Sequence, residues 1–169
     1  MVANLYRCFA DVLDYPTPHL AGRVEDALNL LAPLDMNAAR RLGRFRTVVA
    51  ETPLSRLEEI YTGTFDLQPL CSPHVGYHLF GEDCRRALFM IRLKERYAAL
   101  DVPPDSELPD HICAILRFLA LEPESGMARD LVFEGLHPAA AKMVATFGES
   151  ENPYRHVIGA LVLLLEEGN

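Results

Sequence analysis

An all-α fold is predicted for this sequence by three observations. Apolar residues recur three and four positions apart along most of the chain, capping residues and prolines sit together at several boundaries, and no segment alternates with period two long enough to make a strand. Leu5, Tyr6, Phe9, Val12 and Leu13 form a first helical stripe that stops at Tyr15-Pro16; Leu20, Val24, Ala27, Leu28 and Leu31 form a second, ended by Pro33. Ala38, Leu42, Phe45 and Val49 mark a third. Thr52-Pro53 reads as an N-cap and first-turn proline opening a fourth helix, with Leu54, Leu57, Ile60 and Tyr61 facing inward. "DLQPLCSPHVGYHLFGED" breaks the pattern and reads as a loop with room for a short helix. Asp83 is placed to cap a long fifth helix. Cys84, Ala87, Leu88, Ile91 and Ala98 share its expected core face, and Arg85, Arg86, Arg92, Lys94 and Arg96 spread over the rest. "LDVPPDSE" is a stiff connector, because consecutive prolines favour extended backbone. Beyond it, Ile112, Ile115, Leu116 and Leu119 mark one helix, Met127, Leu131 and Val132 another, and Ala141, Val144 and Phe147 a third. Asn152-Pro153 then repeats the cap-and-proline device before a last helix carrying Tyr154, Ile158, Leu161 and Leu165.

With 169 residues, half of them apolar, the chain is long enough for one core, so one domain over 1–169 is expected, with the Pro-rich connector at 101–109 as a hinge. The formal charge of -8 is uneven: residues 1–100 hold 12 acids and 12 bases, whereas 101–169 hold 12 acids and only Arg117, Arg129, Lys142 and Arg155. An acidic surface repels phosphate backbones and attracts cationic peptides, which argues against nucleic acid as a partner. The plainer alternative is that acidic faces keep the chain soluble. Four cysteines without a CxxC pair, and a start that lacks a secretory pattern, point to a reducing cytoplasm. The longest apolar run, "VIGALVLLL", falls far short of the roughly 20 residues that cross a bilayer, so no stable membrane insertion is expected. No GxxxxGK or GxGxxG cradle is present.

Two stretches could carry chemistry. Cys71, His74, His78 and Cys84 combine thiol and imidazole ligands, which zinc takes tetrahedrally, and a zinc-binding enzyme using them is the alternative reading. Pro73 and Gly76 argue against a regular helix across the histidine pair, and the plainer reading makes Cys84 and Cys113 small core residues. "SELPDH" reads first as a helix start, with Ser106 as N-cap, Pro109 in the first turn, and Glu107 and Asp110 toward the positive end of the helix dipole. His111 is the odd member there. The cluster could act as an acid/base group or hold a guest chain's cations and amides, and no nucleophile stands near it in sequence.

"ELPDH" after a Pro-rich connector, together with "FADVLDYP", "LEEIYTGTFDL" and "YHLFGEDCRRALFMIRLKERY", resembles the redox-enzyme maturation chaperones of the NarJ, TorD and DmsD type, NarJ-type members most. The resemblance runs in order across most of the chain. It implies an all-helical, non-enzymatic chaperone without a cofactor of its own. Such a chaperone binds the N-terminal segment of an apo molybdoenzyme's catalytic subunit, a twin-arginine signal or its remnant, while molybdenum cofactor is inserted before membrane attachment or export. Members of this kind can form homodimers by exchanging helices. Carried over position by position, the implied peptide-binding residues are Tyr61, Phe65, Asp66 and Leu67; Tyr77, Phe80 and Gly81; Arg85 and Arg86; and Glu107, Pro109, Asp110 and His111. Tyr61 and Phe65 also suit a core, and Arg85 and Arg86 could simply pair with nearby Glu82 and Asp83.

Overall fold

The periodic stripes become helices because each can bury one apolar face against its neighbours. The computed structural model describes residues 1–102 and 106–167, and the connector's Pro103 and Pro104, expected at the hinge, lie outside the described residues. The helices are α1 (Val2–Val12), α2 (Leu20–Leu31), α3 (Met36–Glu51), α4 (Leu54–Phe65), α5 (Val75–Phe80), α6 (Cys84–Ala99), α7 (Ile112–Leu121), α8 (Gly126–Asp130), α9 (His137–Phe147) and α10 (Tyr154–Glu167). Among the described residues there is no strand; an isolated antiparallel bridge joins His74 to His111. The all-α expectation holds.

α1 lies between α2 and α7, α3 packs on α2 and α10, and α10 also packs on α9. Leu5, Phe9, Leu42, Phe45, Ile115, Leu116, Ile158 and Leu161 meet in one core and are fully buried. Two of the expected caps form: Asp83 Oδ1 accepts the Arg85 N–H at 2.8 Å, and Asn152 Oδ1 accepts the Tyr154 N–H at 3.0 Å. The Thr52-Pro53 device is displaced by one residue. Thr52 ends α3, and Pro53 takes the N-cap place of α4, supplying no side-chain cap.

α6 presents the opposite face from the one expected. Leu88 and Ile91 are more than half exposed and Cys84 and Ala87 are also exposed, whereas Leu93 is buried and Arg86, Phe89, Met90, Tyr97 and Leu100 are half-buried. Both stripes are apolar; the second wins because Arg86 and Tyr97 reach bonding partners only from that side.

The two separate helices expected over 127–147 are one continuous helical run. α8 passes through a π-helical turn, Leu131–Leu136, directly into α9. Pro138 lacks an N–H and its ring would crowd the carbonyl four residues back, so a widened turn just before it relieves both. The widening also shifts the inward stripe of α9 to Ala139, Ala140, Met143 and Phe147, leaving Ala141 exposed.

The corrected face of α6 makes a direct prediction. Leu93→Ala should cost about 2–5 kcal/mol, while Leu88→Gln and Ile91→Gln should each stay within about 0.5 kcal/mol, as read from urea unfolding. Equal losses at all three positions would return the core to the other face.

Candidate functional site: a cleft beside the acid and histidine motif

The segment 106–111 contains no helix or strand of its own, so its position must come from outside. Arg86 Nε donates to Asp110 Oδ2 at 2.8 Å and Arg86 Nη2 to Oδ1 at 3.4 Å. Asp110 is fully buried and the Arg86 side chain is 20% exposed. Tyr97 Oη donates to the Pro109 carbonyl at 2.8 Å. On the other side, the Val75 N–H donates to the Asp110 carbonyl at 2.8 Å and the Ile112 N–H to the Pro73 carbonyl at 2.9 Å. Gly76 makes this approach feasible, since a Cβ there would lie 2.7 Å from Asp110 Oδ2. The helix start differs from the expected one: α7 begins at Ile112, and His111, not Ser106, caps it, its Nδ1 accepting the Cys113 N–H at 3.2 Å. That bond satisfies one of the N–H groups left open at the start of α7.

With the segment fixed, His111 and Glu107 line a cleft of about 500 Å³. α4 contributes Tyr61 and Phe65, followed by Asp66; the end of α1 leads to Asp14 and Tyr15; α7 contributes Cys113 and Arg117; Pro73, His74 and Ser106 complete the wall. The floor is aromatic. Tyr61 stacks edge-on to Tyr15 at 5.4 Å and lies 5.2 Å from Phe65, and both Tyr61 and Phe65 rest on the buried Tyr154. Tyr61 Oη donates to the Leu13 carbonyl at 3.3 Å, and burial pushes its phenol well above the ordinary tyrosine value. His74 and His111 meet edge to face at 5.6 Å. Burial lowers the His74 pKa; the nearby Asp110 carboxylate opposes that shift, and His111 and Arg86 add to it.

The implied peptide-binding residues therefore separate into groups. Tyr61, Phe65, Asp66, Glu107 and His111 line the cleft, and Leu67, 80% exposed, follows Asp66 directly. Pro109, Asp110 and Arg86 stand behind its wall as bracing, so the expected pairing of Arg86 with Glu82 or Asp83 gives way to Asp110. Tyr77, Phe80, Gly81 and Arg85 gather instead at the α5–α6 turn. There the Arg85 guanidinium lies 5.6 Å over the Phe80 ring and pairs with Asp83, whose carboxyl is lowered to about 2 by the Arg85 N–H and side chain. Sequence reasoning missed Asp14, Tyr15, His74 and Arg117 as cleft residues. Asp14 and Tyr15 fall inside the "FADVLDYP" block and were within reach of it; Arg117 gave no signal beyond being a lone cation on an apolar helix.

The zinc quartet does not assemble. Cys71 is buried with its thiol directed at backbone carbonyls and pushed up to about 12 by burial, while Cys84 is exposed at the start of α6. His78 Nε2 is engaged with the Ser72 carbonyl at 2.8 Å. Among the described residues no group of three or more His, Cys, Asp or Glu is placed to hold a metal ion. Cys113 is buried as expected, and Cys84 is not.

Two outcomes follow from this geometry. Arg86→Ala leaves the Asp110 carboxylate buried without its partner and should cost about 3–5 kcal/mol in chemical denaturation; a loss below about 1 kcal/mol would remove the bracing role. His74 and His78 are both held below the ordinary imidazole value of 6.5, chiefly by burial. The unfolded chain takes up protons first as pH falls, so this stability is fully present above about pH 6.5 and is lost as pH falls through the folded values. The thermal midpoint should therefore drop on acidification below about pH 6.5, and drop less in a His74→Asn/His78→Asn variant.

Comparison with known proteins places this fold. The chain matches the family described as "Nitrate reductase delta subunit" over residues 31–154. A Bacillus subtilis (strain 168) protein named as a probable nitrate reductase molybdenum cofactor assembly chaperone NarJ is 26% identical over 158 residues, 92% of this chain and 84% of that one. A crystal structure from Archaeoglobus fulgidus, whose name assigns it to redox enzyme maturation, superposes with a TM-score of 0.66 at 22% identity, covering 98% of this chain and 94% of that one; it supports the all-α fold. No described helix is long and apolar enough to cross a membrane. Because the family match spans residues 31–154, most of the 169, the chain belongs to the nitrate reductase delta subunit family.

Proposed function

We propose that this chain is a maturation chaperone for a molybdenum-containing enzyme. It binds the N-terminal segment of the apo catalytic subunit, a twin-arginine signal or its remnant, and holds that subunit while molybdenum cofactor is inserted and before membrane attachment or export. The observation that carries the reading is the cleft itself. Its surface is mainly polar and lined by Asp14, Asp66 and Glu107, Tyr61 and Phe65 lie buried beneath it, and exposed Leu67, Leu108 and Tyr15 offer apolar surface at its edge. A helical or extended guest lays apolar side chains on that edge while the acids accept its arginines or lysines. The family membership and the Bacillus subtilis relative support the choice of client class. The reading assigns binding to this chain, not catalysis.

Among the implied residues, His111 and Glu107 are the ones from the motif that a guest would touch, and Asp110 acts by holding them in place. A peptide copied from the N-terminus of the molybdoenzyme catalytic subunit encoded beside this chain should bind with a Kd on the order of micromolar or tighter, and more weakly as salt rises. Glu107→Gln and His111→Asn, the latter still able to cap α7, should each weaken binding by about 1 kcal/mol or more with circular dichroism unchanged. Calorimetry that detects no binding to wild type, or equal affinity in both variants, rejects the cleft as the peptide site.

A further inference from the structure

Asp14 and Arg117 are 103 positions apart, yet they meet across the cleft: Arg117 Nη2 donates to Asp14 Oδ2 at 2.6 Å. Both line the cleft, and their side chains are 47% and 39% exposed, within reach of anything that enters. Among the described residues no other lysine or arginine lines it, whereas Asp66 and Glu107 add two more acids. Each acid there suits a positive guest, and Arg117 alone has the guest's own sign and, against an arginine, the guest's own chemistry.

We infer that Arg117 is an internal competitor for the guest's cation. It holds Asp14 until an arginine or lysine of the bound segment takes that carboxylate over. This rests on the peptide reading above and adds to it what limits the affinity for a cationic guest. For a cationic guest, Asp14 exchanges one charge-assisted hydrogen bond for another. For a neutral segment of the same shape the pair stays closed, and its affinity does not depend on Arg117.

A structural clamp is the competing account, and the packing argues against it. α1 and α7 already share an extensive apolar contact through Leu5, Phe9, Ile112 and Leu116, all buried. An ion pair this exposed adds little to such an interface. A second competing account makes Arg117 a direct contact for a guest carbonyl or carboxylate. The two accounts differ in sign: a competitor weakens binding and a contact strengthens it.

The experiment measures Kd for the N-terminal peptide of the neighbouring catalytic subunit, and for the same peptide with every Arg and Lys replaced by Gln. The proteins are wild type, Arg117→Gln, Asp14→Asn and the double variant. Arg117→Gln should bind the cationic peptide about two- to fivefold more tightly, the range an exposed ion pair spans. It should leave the Gln-substituted peptide's affinity unchanged, and its gain should shrink in the Asp14→Asn background. Unchanged or weaker binding by Arg117→Gln overturns the inference while leaving the peptide reading intact, as does a gain of equal size without Asp14. If wild type binds neither peptide, the peptide reading falls and takes the inference with it.

Discussion

The ion pair between Arg86 and Asp110 is the constraint on which the cleft depends. A carboxylate with no exposure loses its hydration, and only a matched guanidinium with two hydrogen bonds offsets that loss. The pair forms because three elements leave room for it. Arg86 projects from the inward face of α6, Gly76 removes a side chain from the start of α5, and Asp110 enters between them. Everything downstream inherits this position: the carbonyls of 109 and 110 find donors, His111 caps α7, and Glu107 comes to the cleft's edge. A buried charge pair contributes little net stability on its own account. What it supplies here is the placement of a segment that has no regular structure with which to place itself.

Much of the helical architecture was legible from period alone, since a single apolar stripe leaves a helix one way to face. α1, α2, α3, α7 and α10 behave so, and their expected inward residues are buried or nearly so. α6 was not legible for a physical reason. It carries two apolar stripes on opposite sides, and the choice between them is made by Arg86 and Tyr97, whose partners are 24 and 12 positions away in sequence. The start of α7 misled in a similar way. Ser106 is the better cap by type, but the bridge between His74 and His111 sets the backbone so that the histidine reaches the first N–H groups. The widened turn before Pro138 joins two stretches whose apolar stripes read as separate helices.

The candidate site was legible in part. The motif pointed to His111 and Glu107, and the tyrosine and phenylalanine of α4 were identified as either core or groove; they are both at once, packed on Tyr154 below and forming the cleft floor above. The global charge asymmetry was a weaker guide. Asp14 and Asp66 come from the charge-balanced part of the chain and only Glu107 from the acidic part. Local concentration of acids at the cleft is thus a product of folding, whereas the excess over residues 101–169 sets the sign of the field at longer range.

The way α6 is fastened has one more consequence. Arg86 near its beginning and Tyr97 near its end both terminate on adjacent residues, Asp110 and Pro109. A thermal fluctuation that lifts those two residues undoes both fastenings in a single event. Amide hydrogens of α6 and of the segment around 109–112 should therefore exchange with solvent together, as one cooperative unit, at a free energy below that of complete unfolding.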